Sequence, residues 1–184
     1  MDPVAHIWMV RLKEGHSIVE AAFSEENRKS QRTAVPYATG RGEHNAIFQC
    51  EDDPDLLAVI AYGRDPNEDG SAEARAARFL EFVDHQELYV FNIEIIQFAL
   101  DSDNIAILFT ESQPVGSNSL PGRGDWAHAI VPLPLRQGDQ ASDPPKKTWV
   151  QVVSSEDADR LSQVGSVRRF NKFMETRIAP ADTE

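Results

Sequence analysis

A chain of 184 residues with 41% hydrophobic and 26% charged side chains has the balance of a folded domain. It is long enough to bury roughly two thirds of its unfolded surface, so wholesale disorder is not expected. Thirty acidic against 18 basic side chains give a net charge of −12, a field that repels phosphate backbones and anionic membranes and removes nucleic acid from the expected partners. The single cysteine, Cys50, forbids an internal disulfide. No apolar run reaches the roughly 20 residues of a membrane helix, and residues 1–13 lack the pattern of a signal peptide, so a cytoplasmic location is expected.

Ala5–Leu12 alternates as a first strand, with His6, Trp8, Val10 and Leu12 on one face and Ile7, Met9 and Arg11 on the other. Ser17 and Glu20 have capping-box spacing and open a helix with Ile18, Val19, Ala22 and Phe23 as its apolar stripe. That helix fades near Arg32, and Pro36, Gly40 and Gly42 mark a loop. Asn45–Cys50 reads as a second strand, and Leu56–Tyr62 as a third, apolar enough to be central. Ser71 caps an Ala-rich helix that runs to about Glu87, with Ala72, Ala76, Phe79, Leu80 and Val83 as its core stripe. A fourth strand lies within Tyr89–Leu100. Residues 5–100 thus spell β-α-β-β-α-β, the ferredoxin-like order.

In the remainder, Asn104–Thr110 reads as a strand, Ser112–Asp125 as a loop, and Ala127–Leu135 as an edge strand limited by Pro132 and Pro134. Thr148–Val153 is a strand, Ser155 caps a helix through Leu161, and Val167–Glu175 continues as helix. Arg168, Arg169 and Lys172 fall on its solvated face. Ala5-His6 and Ala127-His128 open similar strands, and strand-then-helix recurs in LLAVIAY and TWVQVV. The chain therefore reads as an α+β protein with a ferredoxin-like unit in residues 1–101 and a degenerate second half in 102–184, short of its first helix.

This order resembles the dimeric α+β-barrel superfamily, which includes antibiotic-biosynthesis monooxygenases, stress-responsive barrel proteins and small polyketide cyclases. The resemblance implies two sheets packed face to face, from a homodimer or from two halves of one chain, with a ligand cavity between sheet and helices. AHIWMVRLKEG is similar to the first strand of the cyclase branch, which carries a histidine at the position of His6. FLEFVDHQELYVF is similar to the end of its second helix, where a catalytic histidine falls at His85. The branch's third-strand histidine has no counterpart in LLAVIAY. The monooxygenase branch uses an Asn and a Trp, for which Asn45 and Trp8 are available without assigned roles.

The residues themselves carry a parallel reading. Burial of His6 on an apolar face favours the neutral, basic imidazole. A helix end and nearby Asp84 and Glu87 favour the cationic form of His85, and the resemblance makes it a general base. Tyr62 and Tyr89 offer hydroxyls to a substrate, and Trp8, Phe79 and Phe82 offer aromatic walls. No HxxxH or HxH pair, glycine-rich dinucleotide loop or GxSxG elbow is present, so neither metal nor cofactor is expected. Arg123-Gly124-Asp125 reads as a turn. The leading expectation is a cofactor-free enzyme that uses His6 and His85 to cyclise, dehydrate or isomerise an aromatic or polyketide-like molecule. A cofactor-independent monooxygenase on a phenolic or anthrone-like substrate and a non-catalytic binding protein are the alternatives.

Overall fold

The computed structural model describes residues 4–23, 43–63, 82–91, 93–116, 121–130, 147–162 and 164–178. Eight strands form one closed antiparallel barrel. They are β1 (Val4–Leu12), β2 (Glu43–Cys50), β3 (Leu56–Gly63), β4 (Val83–Phe91), β5 (Asn104–Thr110), β6 (Arg123–Ile130), β7 (Lys147–Ser154) and β8 (Val167–Ile178). The helices are α1 (Ile18–Phe23), α2 (Ile93–Leu100) and α3 (Ala158–Ser162), the last entered through a 3-10 turn at Ser155–Asp157.

Around the barrel the order is β1-β3-β2-β8-β5-β7-β6-β4. Cut at its two seams, it yields β4-β1-β3-β2 and β8-β5-β7-β6. Renumbered within each quartet, both read 4-1-3-2, the ferredoxin-like order. Two such units are therefore joined through β2–β8 and β4–β6, and the barrel closes within one chain. Among the described residues the β5–β6 connection holds no helix, as the sequence pattern implied. The Ala-His echo is not part of this repeat: β1 occupies the first position of its quartet, whereas β6 occupies the second.

Alternation along β1 places Ile7 and Met9 inward and His6, Trp8, Val10 and Leu12 outward. The inward set meets Ala46, Phe48, Ala58, Ile60, Ile105, Ile107, Val150, Val152 and Phe170 from the other strands, together with Ile95, Ile96, Ala99 and Leu100 of α2. Thus α2 turns its apolar face to the inward side chains of β1, β2, β3, β6 and β7, while Glu94 stays exposed. Its C-terminus is tied down by Ser102 Oγ–H donating to the Phe98 carbonyl at 3.0 Å and by the Lys172 ammonium donating to the Leu100 carbonyl at 2.8 Å. A cation at that end also complements the helix dipole.

Several expectations change. Ile93–Leu100 is helix rather than strand, and Val83–Glu87 is strand rather than the end of a helix. Residues 71–80, including Phe79, lie outside the described residues. Val167–Glu175 belongs to β8, paired with β2 and β5. Arg123-Gly124-Asp125 is not a turn but the start of β6, paired with β7. Val19 is exposed rather than part of a buried stripe, and the cap of the last helical segment is Ser154, not Ser155.

The β2–β3 turn is clamped by a bidentate ion pair: Arg11 donates to both oxygens of Asp53, at 3.1 and 2.6 Å. Arg168 approaches the same carboxylate at 3.6 Å. The hydrogen bonds from Arg11 lower the Asp53 carboxyl below its usual range, with the charges of Arg11 and Arg168 acting in the same direction. A carboxyl depressed in the folded state contributes stability above its unfolded value, near pH 3.9, and loses it as pH falls through the folded value. Asp53→Asn should therefore flatten the acid limb of the stability curve below about pH 4. Urea midpoints measured from pH 2 to 7 for both proteins check this, and parallel acid limbs would refute it.

Candidate active site

The outer face of the first quartet carries a buried imidazole and buried aromatic side chains. His6, only 6% exposed, and Trp8 stand two residues apart on this face. Trp8 packs in a cluster with Val10, Leu12, Ile18, Ile47, Leu57, Phe82 and Val83. The helix α1 closes one side of that cluster through Ile18. Its entry is set by Gly15, whose φ of 87° turns the chain, and by the Glu20 amide donating to Ser17 Oγ at 3.3 Å. Ala61 lies opposite His6, and Asn45 lies opposite Ala61, so half-buried Asn45 occupies the same face two strands away.

The expected site residues separate. His6, Trp8 and Phe82 share the outer face and are all buried. Tyr89 belongs to the lumen, where its ring packs on Phe109 with centroids 5.0 Å apart. The register position of Tyr62, opposite His44, belongs to the lumen side as well. His85 lies on a strand rather than at a helix end, so the dipole argument for its charge lapses. Its position pairs with Arg11, whereas Val90 pairs with His6. Five residues separate those positions on β1, roughly 17 Å. The step is odd, so they belong to opposite faces, and His6 and His85 are not brought together.

Two polar groupings carried no expectation. On the lumen side, the His44 ring donates from Nε2 to Glu175 Oε1 at 3.0 Å, and Lys172 donates to Glu175 Oε2 at 2.9 Å. His44 lies 131 residues before Glu175, and nothing in the sequence announces that contact. At the entry to α1, His16 Nδ1–H donates to Glu20 Oε2 at 3.1 Å, and its ring meets Phe82 edge-on, with centroids 5.6 Å apart at 90°. Here a signal existed, because His16 and Glu20 are four residues apart across the turn that Ser17 caps. Among the described residues no three His, Cys, Asp or Glu side chains gather as a metal site, and no helix is long and apolar enough to cross a membrane.

Fold and site together define an α+β barrel built of two ferredoxin-like quartets, with its aromatic face outside one of them. Two solved structures are similar over almost the whole chain. One is a chlorite dismutase-like protein, with a TM-score of 0.49 and 8% identity over 94% of this chain and 96% of that one. The other is a monooxygenase-like protein from Lactobacillus acidophilus, with a TM-score of 0.44 and 11% identity over 96% and 97%. At these values neither assigns an activity. No family model matches the chain, and no curated protein matches it.

Proposed function

We propose that this protein is an enzyme acting without a bound cofactor on an aromatic, polyketide-like substrate held against the outer face of the first quartet. The observation that supports this reading is the buried His6 imidazole, in line with Trp8 on the outer face. A ring held beside Trp8 meets an aromatic wall and a base in a poorly solvated setting, where proton abstraction next to a carbonyl competes with little water. The enolate so formed can close a ring, lose water or shift a double bond. His85 has no part in this scheme, because its register position belongs to the other face.

The test is turnover of a panel of aromatic polyketides by purified protein without additives. His6→Gln keeps the ring's approximate size and a polar end. It should cut the rate by about 100-fold with little change in melting temperature. An unchanged rate in a folded His6→Gln variant would end the assignment, and binding without turnover in wild type would make this a ligand-binding protein. A second reading, a cofactor-independent monooxygenase, is favoured by Asn45 and Trp8 sharing the outer face. Oxygen consumption that tracks turnover supports it, and equal turnover without oxygen removes it.

A further inference from the structure

We infer that His16, oriented by Glu20, is a proton-transfer group at the rim of the outer-face cluster, acting on an enolisable carbonyl compound whose aromatic ring rests near Phe82. This rests on the reading that the outer face takes an aromatic ligand. The imidazole has two contacts of its own, and the backbone that carries it is anchored. Its own amide donates to the Lys13 carbonyl at 3.1 Å, and the Lys13 amide donates to the Phe82 carbonyl at 2.9 Å, so the turn is stitched to the start of β4. The Ser17 cap fixes the first turn of α1 and with it Glu20. Glu20 holds Nδ1, and the Phe82 ring faces the imidazole edge.

What is left is Nε2, which makes no hydrogen bond among the described residues, on a side chain 28% exposed. An imidazole with one nitrogen held by a carboxylate and the other open to a ligand is the arrangement of an oriented general base. Helix stabilisation is a poor account of the pair. His16 precedes the cap, at the helix end where a cation gains nothing from the dipole, and Glu20 is favourable there without it. Phe82, 8% exposed, belongs to the same cluster as Trp8, so the base lies between the border of that cluster and solvent.

The step is a simple proton transfer. The Nε2 lone pair takes a proton from carbon next to a carbonyl, and the C–H electron pair moves onto the carbonyl oxygen as an enolate. The imidazolium is balanced by the Glu20 carboxylate and returns its proton to the product. No oxidant, reductant or co-reactant is required.

The probe is β-tetralone, a neutral aromatic ketone with enolisable benzylic hydrogens. Exchange of those hydrogens in deuterium oxide is followed by proton NMR, and binding by quenching of tryptophan fluorescence. Wild type should bind the probe and accelerate exchange. His16→Gln should bind within about twofold and lose acceleration by about 100-fold. Glu20→Gln, a change in a positioning residue, should lose about tenfold and shift the pH profile of exchange, an effect that a purely structural pair would not produce. Binding with undiminished exchange in His16→Gln overturns the inference while leaving the outer-face reading intact. Absence of probe binding to wild type overturns both.

Discussion

Ile96→Asp should abolish folding, whereas Ile96→Val should cost only about 0.5–1.5 kcal/mol. Ile96 is fully buried on the apolar face of α2, among inward side chains of the strands. A carboxylate there would sit among the apolar side chains of that cluster. The effective penalty for burying an unpaired charge is several kcal/mol, comparable with the whole stability of a domain, about 5–15 kcal/mol. Circular dichroism and urea unfolding of both variants check the pair of effects. A folded Ile96→Asp with the wild-type urea midpoint would mean that this face of α2 is not buried. The conservative variant has a second use. If the lumen is packing and the outer face is the site, Ile96→Val should leave ligand binding untouched.

Composition explains why α2 was not legible. It does carry an apolar stripe, Ile95, Ile96, Ala99 and Leu100, with Glu94 exposed and Gln97 half-buried, but over only eight residues. YVFNIEIIQFAL, rich in β-branched residues and aromatics, therefore reads as strand. The opposite error occurred in β8. Val167 faces out toward Leu108, Phe170 faces in with Cys50 and Ile105, and Met174 faces out with Ile47. Phe170 and Met174 are four apart and would share a strand face, but the register shifts between them, with Phe48 opposite Lys172 and Ile47 opposite Met174. That extra residue turns period-2 alternation into spacings of three and four, which imitate a helix.

Where no extra residue interrupts the strand, local pattern was enough. β1, β3, β5 and β7 fall within a residue or two of the expected spans, because each keeps strict alternation or a continuous apolar run. Alternation alone also put His6 and Trp8 on one face of β1, as the structure has them. The expected helix end at His85 was not legible because Val83–Phe91 is strand, where an odd step from Val90 separates the register positions of His85 and His6.

A last expectation concerns the edge where the second quartet begins. Gly122→Val should destabilise the protein by about 4 kcal/mol or more, in the range that single changes rarely reach. Gly122 has a φ of 77°, and a side chain in that left-handed region costs about 1–2 kcal/mol by itself. Its Cβ would also overlap the backbone carbonyl oxygen of Val152 and lie 2.6 Å from Val153 Cγ1. Neither the backbone of β7 nor a core valine can swing aside as a flexible side-chain tip can. β7 would have to move. With it would move Trp149, packed edge-on against Trp126 at 5.6 Å, and buried Gln151, which donates to the Pro121 carbonyl at 2.9 Å. Gly15→Ala is the control. Gly15 has a φ of 87° but nothing within 4 Å of a Cβ, so only the backbone cost of about 1–2 kcal/mol should appear. Urea midpoints at unchanged m-value separate the two cases. Equal losses for both variants would show that the close approach to β7 is not what requires glycine at position 122.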